Sequence, residues 1–350
     1  MEFGGEDDAF AALEAGSVAA DVTVVAPGLA TATGLRVGRV RHLAYTRAAV
    51  DLLGRTAADV DAARALVAAA SLDRAGTVAV RARDVRGTAG VSTAAAEREL
   101  GAALVARGFA VDLDDPDHVL RASFGGDACL VGWQVAESVR DYGDRAPTDR
   151  PFFQPGAMDP LDARAVANVA GAGPGRRVLD PMCGTGGLLI EAGLVGALVV
   201  GADAQRKMVR GARENLRAYL GTGRDGDGGD DGANRDGPDG RAGDGPAADA
   251  RGAGAAVELL RADATALPLR DDAVDAVVVD APYGRQSRVV GGDDLLAGVL
   301  SEARRVAPRA AVVGDRPLRD AAAAAGWTVE AVHERRVHRS LTRHVHALTA

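Results

Sequence analysis

Short apolar and polar runs alternate through the first 140 residues of the chain, and the rhythm changes after about residue 150. Helical spacing marks Asp8 to Ala15, capped by the acids before it, and Ala57 to Ala70, with an apolar run, Val22 to Ala26, between them. A strand is predicted over Val78–Ala82, then a helix from Ser92 to Arg107. Ser92 is suited to its N-cap, and Glu97 and Glu99 lie early in the helix, where the helix dipole favours acids. Phe109–Leu113 alternates as a strand does, Asp114–Asp117 is a turn, and Cys129–Trp133 is a further strand. No catalytic cluster stands out here, so residues 1–140 read as a structural or substrate-binding α/β unit. Asp141 to Arg150, polar with Gly143 and Pro147, reads as a linker.

From Pro151 onward the pattern is that of repeated strand–helix units. An aromatic and Pro/Gly stretch, Pro151 to Met158, precedes a helix over Pro160–Ala170. Arg177–Asp180 is a short strand, Pro181 to Gly187 a glycine-rich turn, Leu188–Val195 a helix and Leu198–Asp203 the next strand. Ala204–Leu220 continues as a helix. Strands follow at Val257–Leu260 and Val274–Val279, a helix over about Asp293–Val306, a strand over Ala310–Val313 and a helix after Pro317. Two closing strands lie over Thr328–Val332 and about Leu341–Leu348. Gly221 to Gly254 has no apolar periodicity and holds eight Asp and four Arg. It cannot bury enough surface to offset ordering and is expected to be a disordered insertion.

The second region carries the candidate chemistry. Strand, glycine turn, helix, strand and closing acid form a nucleotide-binding βαβ pattern, with Asp203 falling 23 residues after Asp180. The run Asp180-Pro181-Met182-Cys183-Gly184-Thr185-Gly186-Gly187 differs from the dinucleotide pattern because an acid at the strand end precedes the turn. That favours S-adenosylmethionine: Asp180 and nearby carbonyls can hold its ammonium, and Asp203 can accept from its ribose hydroxyls. Asp263, followed by Ala264, is placed to accept from an adenine amino group, or else to cap a helix. Asp280-Ala281-Pro282-Tyr283 ends the apolar run before it. The acid and a backbone carbonyl can accept two N–H bonds from a planar amine while the ring stacks on the base that carries it.

Composition changes the picture in three places. The net charge is −8, and Lys207 is the only lysine among 41 basic residues. That balance points to a GC-rich genome and a high-salt cytoplasm. At molar salt the Debye length falls to about 3 Å, so an acidic total does not exclude a nucleic-acid substrate. Cys129 and Cys183 are too far apart for a zinc or disulfide pair and read as small buried residues. Four of six histidines fall between His333 and His346, but no carboxylate or cysteine pattern completes a metal site, so a polar strand face or an RNA-facing edge is expected. No apolar run is long enough for a membrane span and the N-terminus is acidic, so the chain reads as soluble and cytoplasmic.

Val80-Arg81-Ala82-Arg83-Asp84-Val85-Arg86-Gly87-Thr88, with Ser92, Glu97 to Gly101, Val111-Asp112-Leu113 and Pro116, resembles a THUMP domain. Such domains hold the acceptor end of tRNA, and Arg81, Arg83 and Arg86 would suit phosphate contacts or be merely solvated. Taken with Asp180 to Gly187, Asp280 to Gly284 and Pro151-Phe152-Phe153-Gln154-Pro155-Gly156-Ala157-Met158, the chain resembles the archaeal tRNA (guanine-10-N2)-methyltransferase family. The resemblance implies an α/β fold: a THUMP-containing domain over 1–140, a linker over 141–150, and a Rossmann-like class I methyltransferase domain over 151–350 with a mostly parallel seven-stranded sheet. It also implies S-adenosylmethionine as donor, tRNA as partner rather than DNA, and Phe153, Pro155 and Gly156 lying against the donor. Eukaryotic relatives use a small zinc-containing activator subunit, so a similar partner is implied as an option. The family usually has Pro where this chain has Ala281. Alternative readings are a THUMP methyltransferase for another tRNA guanosine, a DNA or RNA amino-methyltransferase, and a non-catalytic tRNA-binding protein.

Overall fold

A computed structural model describes residues 1–221, 256–281, 292–338 and 341–350. Among these residues, fifteen strands form two sheets, one on each side of residue 150. The first is built from β1 (Glu2–Phe3), β2 (Ala20–Ala26), β3 (Leu29–Thr33), β4 (Thr46–Ala57), β5 (Thr77–Asp84), β6 (Ala110–Val111), β7 (His118–Gly125) and β8 (Ala128–Glu137), in the order β2-β3-β1-β4-β8-β7-β5-β6. Its helices are α1 (Asp8–Ala15), α2 (Val37–Val40), α3 (Val60–Ala69) and α4 (Thr93–Val105). The expected caps are in place: Asp7 accepts from the Phe10 amide at 3.1 Å and Ser92 from the Ala95 amide at 3.3 Å. The helix expected from Ala57 begins only at Val60, because Ala57 is still in β4, paired with Ala128, and Asp59 caps the helix at the Ala62 amide.

The second sheet contains β9 (Arg177–Asp180), β10 (Leu198–Asp203), β11 (Val257–Arg261), β12 (Ala276–Asp280), β13 (Arg309–Gly314), β14 (Thr328–His338) and β15 (Leu341–Thr349), with α5 (Pro160–Ala170), α6 (Gly187–Leu194), α7 (Arg206–Leu220), α8 (Gly292–Val306) and α9 (Arg319–Ala324). The order is β11-β10-β9-β12-β13-β15-β14, and only β15 runs against its neighbours. This is the mostly parallel seven-stranded sheet that the family resemblance implies. The near-continuous apolar run Ala276–Val279 makes β12 a buried centre strand, as both faces are covered. The chain places β10 and β11 on one side of β9 and β12 on the other, so the order reverses between β9 and β12. That crevice at the strands' carboxyl ends is where open α/β sheets bind ligands.

Two features depart from the sequence reading. Residues 141–150 are packed rather than an open polar linker. Arg145 is 5% exposed and its Nε donates to Glu191 Oε1 of α6 at 2.8 Å, while Arg164 of α5 reaches the other oxygen at 2.7 Å. Residues 1–49 also share one apolar cluster with the second sheet's layer: Phe3, Phe10 and Tyr45 belong with Val166, Leu189 and Val345. Strands β5, β7 and β8 pack with α3 and α4 in a separate cluster around Trp133. The insertion expected over 221–254 lies outside the described residues except for Gly221, whose left-handed φ of 57° ends α7. No helix among the described residues is long and apolar enough to cross a membrane.

Candidate active site

Three acids close three adjacent parallel strands: Asp203 on β10, Asp180 on β9 and Asp280 on β12. The glycine turn after β9 is tied to its neighbour strand, since the Cys183 amide donates to Ala202 O at 2.8 Å and the Gly184 amide to Asp203 Oδ2 at 3.1 Å. Gly186 has a φ of 80° and caps α6 in the left-handed region, a conformation that costs a side-chain-bearing residue energy. Asp180 is buried, with Oδ1 accepting from the Met182 amide at 3.0 Å. Burial pushes its carboxyl well above the ordinary 3.8, and the charges of Asp280 and Asp203 add to the rise against the pull of the Met182 amide.

A cleft opens between these elements. Of the residues expected at the site, Pro155, Gly156, Asp180, Cys183, Gly184, Thr185 and Asp280 line it. Asp203 stays outside the lining and grips the turn from beneath, with its Oδ1 on the Gln205 amide at 2.8 Å. Pro181 and Gly186 shape the turn without facing the cleft. Asp263 is exposed and accepts from both the amide and the hydroxyl of Thr265, at 2.9 and 2.8 Å, so in this structure it acts as the cap of its own turn; Ala264 beside it is buried. The Ala281 amide donates to Val313 O of β13 at 2.9 Å, which fixes the start of the loop after β12. Pro282 and Tyr283 lie outside the described residues.

The adjacent phenylalanines have separate surroundings. Phe152 packs against α7, where a Cβ on Gly211 would come within 2.0 Å of its ring, and Lys207 lies over it at 5.7 Å; Phe153 is 41% exposed. Sequence reasoning missed what holds this strap. Asn215 of α7 is fully buried: its Oδ1 accepts from the Phe152 amide, and its Nδ2 donates to Phe152 O and Thr185 O, all at 2.8–2.9 Å. It also did not single out Met158 and Met182 within the motifs and missed Met208; all three line the cleft. Rarity was the available signal, because the chain has only four methionines and three asparagines.

Other candidates resolve differently. Arg86 pairs with Asp8 at 2.6 Å and Arg83 with Glu2 at 3.2 Å, while Arg81 donates to Leu113 O at 2.9 Å, so the arginines of the first region are partly spent on the fold. His333 stacks on Phe10 and meets Asp7 at 2.6 Å. His346 is buried between Val312 O and the Leu318 amide. His333 and His346 therefore serve packing rather than an RNA-facing edge. Both cysteines are buried and free. Among the described residues, no group of three His, Cys, Asp or Glu is placed to hold a metal ion.

A family model described as "RMKL-like, methyltransferase domain" matches residues 147–224 and 247–345. The chain belongs to this family. The gap between the matched stretches falls inside the low-complexity run, so this RMKL-like domain carries the run as an addition. The chain is 35% identical over 254 residues to the tRNA (guanine(10)-N2)-dimethyltransferase of Methanothermobacter thermautotrophicus, covering 72% of this chain and 65% of that protein. A Pyrococcus abyssi protein of the same name is 38% identical over 124 residues, 35% of this chain and 37% of that one. The U6 snRNA (guanine-N(2))-methyltransferase THUMPD2 of Mus musculus is 27% identical over 215 residues, 60% of this chain and 33% of that one. The chain thus spans less than two thirds of each of these relatives.

Proposed function

We propose that this RMKL-like chain is an S-adenosylmethionine-dependent enzyme that methylates the exocyclic N2 of guanosine 10 in tRNA. The observation that carries the reading is the pair Asp180 and Asp280, facing one cleft from the two strands that flank the switch point, with the glycine turn as its floor. The residues suit the donor. Asp180 offers a buried carboxylate to a cationic amino group, the turn gives close backbone approach, and Pro155 and Gly156 close the opposite wall. The bound donor supplies an electrophilic methyl on a sulfonium. The amine of guanine is a weak nucleophile because its lone pair is delocalised into the ring. Asp280 and the Ala281 carbonyl, by accepting its two N–H bonds, favour a more pyramidal nitrogen aimed at that methyl, and Asp280 takes the released proton directly or through water. Tyr283 is assigned the stacking of a base drawn out of the tRNA helix.

Guanosine 10 and tRNA are inferred from the names of the archaeal relatives. We assign the THUMP-like region before residue 140 to holding tRNA, and place the reaction in the cytoplasm. The mouse relative favours a second reading, in which the guanosine lies in another structured RNA. Both are tested by incubating the purified chain with labelled donor and a tRNA transcript, beside a transcript with adenosine at position 10. Labelling that vanishes in the control supports the position. Labelling that persists unchanged in the control rejects it. Mass analysis of the product nucleoside counts one methyl or two.

A further inference from the structure

Helix α7 breaks rules that α1, α3 and α5 keep. Each of those three opens on an aspartate cap with a further acid in the first turn, as the helix dipole favours. α7 has no side-chain cap bond at Gln205 and no acid in its first turn, which begins instead with Arg206 and Lys207. Arg206, Lys207, Arg210, Arg213 and Arg217 are all exposed, and Glu214 is the only acid of the helix. In a chain of net charge −8, this one helix holds five cations against a single acid.

Spacing gathers the charge on one side. Arg206, Arg210 and Arg213 follow one another at steps of four and three, which puts them on one face, away from the buried Val209, Ala212, Asn215 and Leu216. Like charges at these steps repel and weaken a helix, so the arrangement costs stability unless something outside the helix answers it. No acid or other acceptor among the described residues bonds to those three side chains. The helix itself is firmly placed, since Asn215 ties it to the strap and the glycine turn. It starts three residues after Asp203 closes β10, at the edge where the cleft opens, and Met208 of its first turn lines that cleft. Arg206 therefore stands level with the cleft, and the arginine face runs outward from there.

We propose that this outer face of α7 is a phosphate-binding track for the RNA substrate, gripping backbone beside the nucleotide that enters the cleft. The inference rests on the RNA reading above. Guanidinium groups pair bidentately with phosphate at short range, so the track works without long-range attraction, which the net charge of −8 opposes. One strand of a nucleic-acid duplex carries a charge about every 3.4 Å of axis, so the roughly 10 Å from Arg206 to Arg213 faces about three phosphates. Such contacts carry no sequence information: the track supplies affinity and orientation, and the choice of nucleotide stays with the cleft.

The test compares the full chain with a triple variant, Arg206→Gln, Arg210→Gln and Arg213→Gln together. Binding to a tRNA transcript is measured over a range of salt, and methylation at saturating S-adenosylmethionine. The variant should bind the transcript about tenfold or more weakly, and the slope of log affinity against log salt should shrink by about two. KM for tRNA rises while the turnover number and the affinity for the donor stay close to wild type. Lysine at the same three positions restores most of the slope but less of the affinity, because it lacks the bidentate geometry. Should the triple variant fail to fold by circular dichroism, Arg210→Gln with Arg213→Gln is read in the same way. Unchanged tRNA affinity and salt slope in the variant, beside a wild type that methylates tRNA, overturns the track alone, and is the result expected if the face serves a protein instead. A wild-type chain that neither binds nor labels tRNA sinks the RNA reading and the track with it.

Discussion

At the scale of single residues, Asp280, Ala281 and Asp180 carry the strongest expectations. Asp280→Ala removes the acceptor for the reacting amine, and transfer should be lost while donor binding, measured by titration, persists. Near-normal methylation by that variant would sink the mechanism. Ala281 stands where the related family usually has proline, which would add backbone order by fixing φ. Against that gain, the Ala281 amide bonds to Val313 O at 2.9 Å and proline has no such donor. The variant should stay active but lose about 1 kcal/mol of stability, read as a lower melting temperature. Burial raises the Asp180 carboxyl above its ordinary value, and a bound cation favours its charged form. Donor binding should therefore release a proton. Affinity should rise as pH climbs toward the raised Asp180 value of the free protein and level off above it, and titrations in buffers of different ionisation enthalpy read the proton released.

At the scale of elements, the strap before α5, the glycine turn and α7 behave as one unit because Asn215 binds all three. Asn215→Ala strands the Phe152 amide and two buried carbonyls, which costs roughly 2–3 kcal/mol. Because Gln154–Met158 and Met182–Thr185 are two walls of the cleft, donor affinity should fall several-fold more than the turnover number does. Equal losses in both would mark Asn215 as a folding residue only. Periodicity located these elements well: α1, α5, β9 and β10 have the bounds that spacing and caps implied. It could not show that an asparagine far along the chain ties down a loop, since that pairing spans 63 residues.

At the scale of the whole molecule, residues 1–49 belong to both layers. Glu14 is fully buried and accepts from the Ala44 and Tyr45 amides at 2.6 and 2.7 Å and from Asn168 Nδ2 of α5 at 2.7 Å. Tyr45 in turn reaches Asp162 of α5 at 2.5 Å, and Arg335 of β14 pairs with the same acid at 2.8 Å. Desolvation raises the Glu14 carboxyl above its ordinary value despite its three donors. Glu14→Ala should cost about 3 kcal/mol by leaving those donors unpaired. With the apolar cluster shared as well, the two sheets should melt in a single calorimetric transition, and two well-separated transitions would contradict a shared core.

The sequence by itself determined the element order and the motifs at the strand ends of the second sheet. These follow from local rules: hydrophobic period, caps, and glycine where φ must be positive. Tertiary structure alone decided that Asp180 and Asp280, a hundred residues apart, flank one crevice, because the strand order sets β12 beside β9. It also drew Asp263 into its own turn and packed the expected linker. Such placements depend on which distant groups meet on burial, and one-dimensional spacing carries no record of that.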